Sequence, residues 1–99
     1  MLHIVNKSPT ERSSLSSCLA HARKGSAVIL IEDAVYAATR GNAAQAALAR
    51  AMQEVTVYAL GPDLEARGVR ASVMDGVQVV DYGGFVDLVA EHRTSQSWL

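Results

Sequence analysis

The chain has 99 residues, nine basic and ten acidic, with a formal net charge of −1 and 49% hydrophobic residues. That length allows one domain (residues 1–99) or one subunit of something larger, and the balanced charge excludes a protein that grips a polyanion along its length. No apolar run reaches membrane-spanning length, the opening MLHIVNKSP lacks signal-peptide architecture, and one cysteine excludes an internal disulfide framework and fits a reducing cytoplasm.

Leu2 to Val5 is a short apolar run and predicts the first strand. Ser8-Pro9-Thr10-Glu11 has the form of a helix start, with Ser8 as N-cap, Pro9 as first helical residue and Glu11 completing a capping box. The helix is expected to run to about Lys24. Its apolar stripe is Leu15, Cys18, Leu19 and Ala22, spaced i, i+3, i+4, i+7.

Ala27 to Asp33 reads AVILIED. Five apolar residues without alternation predict a strand covered on both faces, the mark of a central parallel strand. In open parallel sheets ligands gather at the carboxyl ends of strands, where Glu32, Asp33 and Tyr36 fall. Acids at a strand end are also ordinary turn formers.

A helical turn over 34–38 and an alanine-rich helix over 43–52 follow, the latter introduced by Asn42 and Gln45 as a second cap signature. Residues 54–60 predict the third strand, ended by Gly61-Pro62, and 63–67 a short helix stopped by Gly68. Residues 69–74 are ambiguous. Asp75-Gly76 is a turn, Val77 to Val80 a fourth strand, and Phe85 to about His92 a last helix with apolar Phe85, Leu88 and Val89. Arg93 to Leu99 reads as a polar C-terminal tail. Strands alternating with helices imply a parallel α/β sheet.

Cys18 is the only thiol. Its place in the apolar stripe suits a small buried hydrophobe. A reactive thiol needs exposure and a positive neighbour, and His21 is the one candidate close in sequence. His3, His21 and His92 do not have metal-ligand spacing, so no metal is expected. Gly83-Gly84 lacks the surroundings of a phosphate loop and reads as a turn, and no cofactor is expected. Trp98 in a terminal segment suits either an interface anchor or a tail folded back on its own domain.

Collinear pieces of the chain resemble the DsrH/TusB family of sulfur-relay subunits. They are Leu2-His3, Ser8-Pro9, Ser17-Cys18-Leu19, Glu32-Asp33 with Val35-Tyr36-Ala37, and Tyr58-Ala59-Leu60. Further on come Asp63-Leu64 with Ala66-Arg67-Gly68, Asp81-Tyr82, Phe85-Val86, Leu88, Gln96 and Trp98-Leu99. No piece is a strong motif alone; the set spans nearly the whole domain. The resemblance implies a three-layer α/β/α fold with a four-stranded, mainly parallel sheet of order 3-2-1-4 and a switch point near Lys7, Ser8 and Tyr82.

It further implies a cytoplasmic heterohexamer with two sister subunits, TusC/DsrF-like and TusD/DsrE-like. That assembly relays persulfide sulfur between carrier and acceptor proteins, without direct contact to nucleic acid or membrane. In the TusB branch the sulfur serves 2-thiolation of the tRNA wobble uridine; in the DsrH branch it serves dissimilatory sulfur oxidation. The principal cysteine of such complexes follows a strand in the DsrE/TusD-like subunit, and no cysteine here follows a strand. Cys18 matches a first-helix cysteine of DsrH-type members and is the candidate auxiliary persulfide site. The alanine-rich helix, Trp98 and Leu99 are the candidate interface residues. A stand-alone flavodoxin-like module binding a nucleotide or phosphate is the competing expectation, and a homo-oligomeric thiol sensor a third.

Overall fold

The computed structural model describes residues 1–10 and 13–98. Among these residues five strands form one sheet: β1 (Leu2–Val5), β2 (Ala27–Leu30), β3 (Thr56–Leu60), β4 (Gln78–Val80) and β5 (Ser95–Trp98). All four pairings are parallel and the spatial order is β4-β3-β2-β1-β5. The four α-helices are α1 (Ser14–His21), α2 (Gln45–Ala51), α3 (Gly61–Ala66) and α4 (Tyr82–Glu91), with 3-10 segments at Glu32–Ala38 and Arg70–Ser72.

The central strand is the one the apolar run predicts. All four residues of β2 are buried, flanked by β1 and β3. Each Val, Ile or Leu buried there stabilises by roughly 1.5–3 kcal/mol.

The sheet has five strands, which corrects the four-stranded expectation. The strand beside β1 is not Val77–Val80 but the C-terminal segment, so the order 3-2-1-4 becomes 4-3-2-1-5. β4 pairs only with β3, at the opposite edge. The switch point therefore lies between β1 and β5, beside Lys7 and Ser8, and Tyr82 is remote from it.

Residues 93–99 looked like a tail because one apolar side chain among Ser95-Gln96-Ser97-Trp98 is a weak strand signal. An edge strand needs little more, since the backbone ladder to β1 supplies the hydrogen bonds. The pairing runs Leu2 to Ser95 through Val5 to Trp98, and the Leu2 N–H adds a bond to the Thr94 carbonyl at 3.0 Å.

Both helix starts near the ends of the chain differ from expectation. α1 begins at Ser14, not Pro9. Ser8 Oγ accepts the Thr10 N–H at 3.3 Å and meets Thr10 Oγ1 at 2.9 Å, closing a local side-chain turn in place of a helical one. Glu11, the other half of the expected capping box, lies outside the described residues. α4 begins at Tyr82, with Asp81 as N-cap accepting the Gly84 N–H at 2.7 Å. Gly83-Gly84 thus belongs to the first helical turn. A Cβ at Gly84 would stand 2.9 Å from Val80 Cβ, so glycine is what lets α4 fold back tightly on β4.

The sheet's two faces are unequally covered. Val5, Val28, Leu30, Val57 and Ala59 pack against α1, the 3-10 segment, α2 and α3 through Leu15, Cys18, Val35, Leu48 and Leu64. The other face presents Leu2, Ile4, Ala27, Ile29, Ile31, Tyr58 and Val80 to Phe85 and Leu88 of α4 alone. Topology explains this. The crossovers from β1 to β4 all step one way along the sheet, and the crossover to β5 steps back. Connections of constant handedness put a returning helix on the opposite face.

Candidate functional site

At the carboxyl ends of β1 and β2 the first face opens into a cavity of about 700 Å³. Ser8, Pro9 and Thr10 come from the turn after β1, Ser16 from α1, and Asp33, Tyr36 and Thr39 from the segment after β2. Asn42, Ala43 and Ala44 complete it ahead of α2. Asp33 and Tyr36 are where the strand-end argument puts them. Glu32 is not among the lining residues; it sits in the left-handed region (φ 50) with its N–H donated to Asp63 Oδ2 at 2.6 Å.

This cavity is built to be rigid. Arg67 on the loop after α3 donates from Nε to Asp33 Oδ1 at 2.9 Å, and its second guanidinium nitrogen lies 2.9 Å from the same oxygen. The cap signature before α2 forms: Asn42 Oδ1 accepts the Ala44 N–H at 2.7 Å, and Gln45 Oε1 accepts the Gly41 N–H at 2.6 Å. Asn42 Nδ2 donates to the Ala37 and Thr39 carbonyls. The lining offers hydroxyls and amides, with one carboxylate already matched by a guanidinium. Among the described residues it holds no thiol and no histidine. It can hold a polar group; it has no nucleophile with a base beside it.

Cys18 lies elsewhere. It is fully buried in the first core, among the residues that α1 packs onto the sheet. Burial pushes its thiol from an ordinary value near 9.0 up to about 12. His21 does not rescue it. Its Nδ1 is 2.8 Å from the Ser17 carbonyl, which can only accept, so Nδ1 carries the proton and is engaged. The ring lies against Trp98, with centroids 5.7 Å apart.

Trp98 is half-buried against the first core. Its Nε1–H donates to His3 Nδ1 at 3.1 Å. The indole thus ties β5 to β1 and α1 of its own domain. Leu99, its companion in the expected interface pair, lies outside the described residues. His3, buried to 3% exposure, entered the sequence reading as part of the family resemblance and as a histidine without metal-ligand spacing, with no structural role assigned to it. Its partnership with Trp98 spans 95 positions and has no local sequence signal.

Among the described residues no group of three or more His, Cys, Asp or Glu could hold a metal ion, and no helix is long and apolar enough to cross a membrane. Among the described residues, three of the exposed large hydrophobic side chains share α4: Tyr82, Val86 and Val89, at 61%, 66% and 45%. Their spacing i, i+4, i+7 makes one outward stripe, beside a shallow apolar groove formed by Phe85, Val86, Val89 and Ala90.

Fold and site together define a small parallel α/β domain whose single thiol is held neutral in the core and whose last helix carries an unpaired apolar face. The same fold occurs in the crystal structure of the ychN protein from E. coli, with a TM-score of 0.79, 19% identity and 97% of each chain covered. It also occurs in a protein of unknown function from Methanobacterium thermoautotrophicum, with a TM-score of 0.73 and 19% identity over 97% of this chain and 95% of that one.

The chain belongs to the DsrH-like protein family, whose model matches residues 7–95. It is 36% identical to protein TusB of Pectobacterium parmentieri, over 99% of this chain and all of that one. It is 37% identical to protein TusB of Photorhabdus laumondii and 34% identical to protein TusB of Escherichia coli K12, at the same coverage.

Proposed function

We propose that this chain is the subunit of a cytoplasmic sulfur-relay complex that carries no sulfur itself. In this reading two sister subunits of related fold join it in a heterohexamer, and the principal acceptor cysteine is on the TusD/DsrE-like sister. The full-length kinship to TusB proteins favours the branch that serves 2-thiolation of the tRNA wobble uridine over dissimilatory sulfur oxidation.

The observation that carries the proposal is the state of Cys18. A persulfide carrier must present a thiolate to a partner, and a thiol inside the core with its pKa pushed to about 12 presents neither charge nor surface. What the chain offers a complex is shape, above all the stripe of Tyr82, Val86 and Val89 on a helix that alone covers its face of the sheet. Exposed apolar patches of this kind mark association surfaces. We assign that stripe to a sister subunit. Trp98 is engaged with His3 and His21 on the opposite face of the sheet, so it is not assigned to this contact.

The test is affinity capture of the tagged chain from its native host. Two co-eluting chains of similar size in constant ratio would uphold the reading. A lone chain, or one carrying a bound nucleotide, would overturn it in favour of the flavodoxin-like alternative.

A further inference from the structure

A second cavity, of about 470 Å³, opens at the other end of the sheet, between the amino ends of β1, β2 and β5. Met1 lines it from just ahead of β1, His3 from β1, His21 from the end of α1, Arg23, Lys24, Gly25 and Ser26 from the turn before β2, and Gln96 from β5. Among the described residues that line it there is no carboxylate. Its volume falls in the range of small-molecule sites.

The hydrogen bonds around it fix what each ring offers. Trp98 Nε1–H can only donate, so His3 Nδ1 is the acceptor and the neutral ring carries its proton on Nε2. His3 is buried, and its pKa is lowered first by that burial and then by the positive amino terminus. It is therefore a neutral, pre-oriented N–H donor in the wall of the cavity. His21, with Nδ1–H on the Ser17 carbonyl, keeps Nε2 as its second functional atom. The guanidinium of Arg23 and the ammonium of Lys24 complete a wall of donors and positive charge. Such a wall repels a metal cation and suits an anion with several acceptor oxygens.

We propose that this cavity is a binding site for a small tetrahedral oxyanion of the phosphate class, either free phosphate or the phosphate of a small ester. Arg23 and Lys24 supply the charge, and His3 Nε2–H and the Gln96 amide supply directed donors. The site is separate from the carboxyl-end cavity and does not depend on the sulfur-relay reading.

Trp98 is the only tryptophan and touches both histidines of the wall, so its fluorescence reports occupancy. Inorganic phosphate is titrated into the purified full chain at constant ionic strength, with chloride as the matched control. Ring-proton NMR signals of His3 and His21 are followed in parallel. The expected result is a saturable change with phosphate and none with chloride.

Arg23 and Lys24 are exposed, so the Arg23→Ala/Lys24→Ala chain should fold normally by circular dichroism. Its dissociation constant should rise about tenfold or more, because the variant removes both cationic side chains of the wall. A chloride response equal to that of phosphate, or unaltered binding by the folded double variant, would overturn the proposal. Ribose 5-phosphate then separates the sources: tighter binding than inorganic phosphate identifies an ester as occupant, and equal or weaker binding identifies free phosphate.

Discussion

The two faces of this sheet are made from similar side chains and do different things. One face is closed under α1, the 3-10 segment, α2 and α3, and takes in the only thiol. The other rests on α4, which turns Phe85 and Leu88 inward and leaves Tyr82, Val86 and Val89 outside. A closed face stores stability in its packed core. The half-covered face is where a domain this small can contribute to an assembly. Chemistry and surface are thus separated in the chain, and that separation is what mutations should expose.

The largest contrast pits Leu64 against Val86. Leu64→Ala opens a void in the closed face and should cost roughly 2–5 kcal/mol, read by denaturant unfolding. Val86→Asp alters an exposed site and should change stability by less than about 0.5 kcal/mol. Yet it should abolish capture of sister chains in a pull-down. If Val86→Asp unfolds the chain, or leaves capture intact, the division between the faces is wrong.

Trp98→Ala probes the seam that closes the sheet's β1 edge. Because the ring is half-buried, the loss should be roughly 2 kcal/mol, below the roughly 3–5 of a fully enclosed aromatic. The same seam is acid-sensitive. His3 has its folded pKa lowered below the unfolded 6.5, so the stability it contributes is present above pH 6.5 and is lost as pH falls through the lower folded value. Denaturant midpoints taken across that range should fall with acid, and less so in Trp98→Ala. An unchanged acid limb in the variant would detach His3 from the tryptophan.

Cys18→Ser should cost roughly 1–3 kcal/mol by burying a hydroxyl, and Cys18→Ala less. The wild-type thiol adds an alkaline limb. Its folded pKa is raised, so its contribution is complete below about pH 9 and declines towards pH 12, at about 1.4 kcal/mol per pH unit within that window. Cys18→Ala should remove that limb. Smallest of all, Asp33→Asn weakens a partly exposed pair with Arg67 and should cost under about 1 kcal/mol.

Much of the closed face was legible because it is written in local pattern. The unbroken run at β2, the i, i+3, i+4 stripe around Cys18 and the Asn42/Gln45 signature each announce themselves within a few residues. The 3-2-1 part of the strand order came with the family resemblance. β5 stayed hidden, since its stability comes from a ladder to residues more than ninety positions away and from one indole meeting His3. The helix start failed for a related reason: the Ser8 hydroxyl closed a turn with Thr10 before the helix began. Of the carboxyl-end cavity, strand-end reasoning gave Asp33 and Tyr36. The hydroxyls of Thr10, Ser16 and Thr39 come from three separate segments that only the tertiary fold assembles.

The measurement that bears most directly on the separation of chemistry from surface is sulfur transfer by the reconstituted complex carrying Cys18→Ala. Assembly is checked first by mass, and transfer to the acceptor protein is then followed with labelled sulfur. The account predicts transfer close to the wild-type rate, because the thiol is enclosed and neutral. Loss of transfer from a fully assembled complex would show that Cys18 reaches a partner and carries sulfur, and would contradict the account.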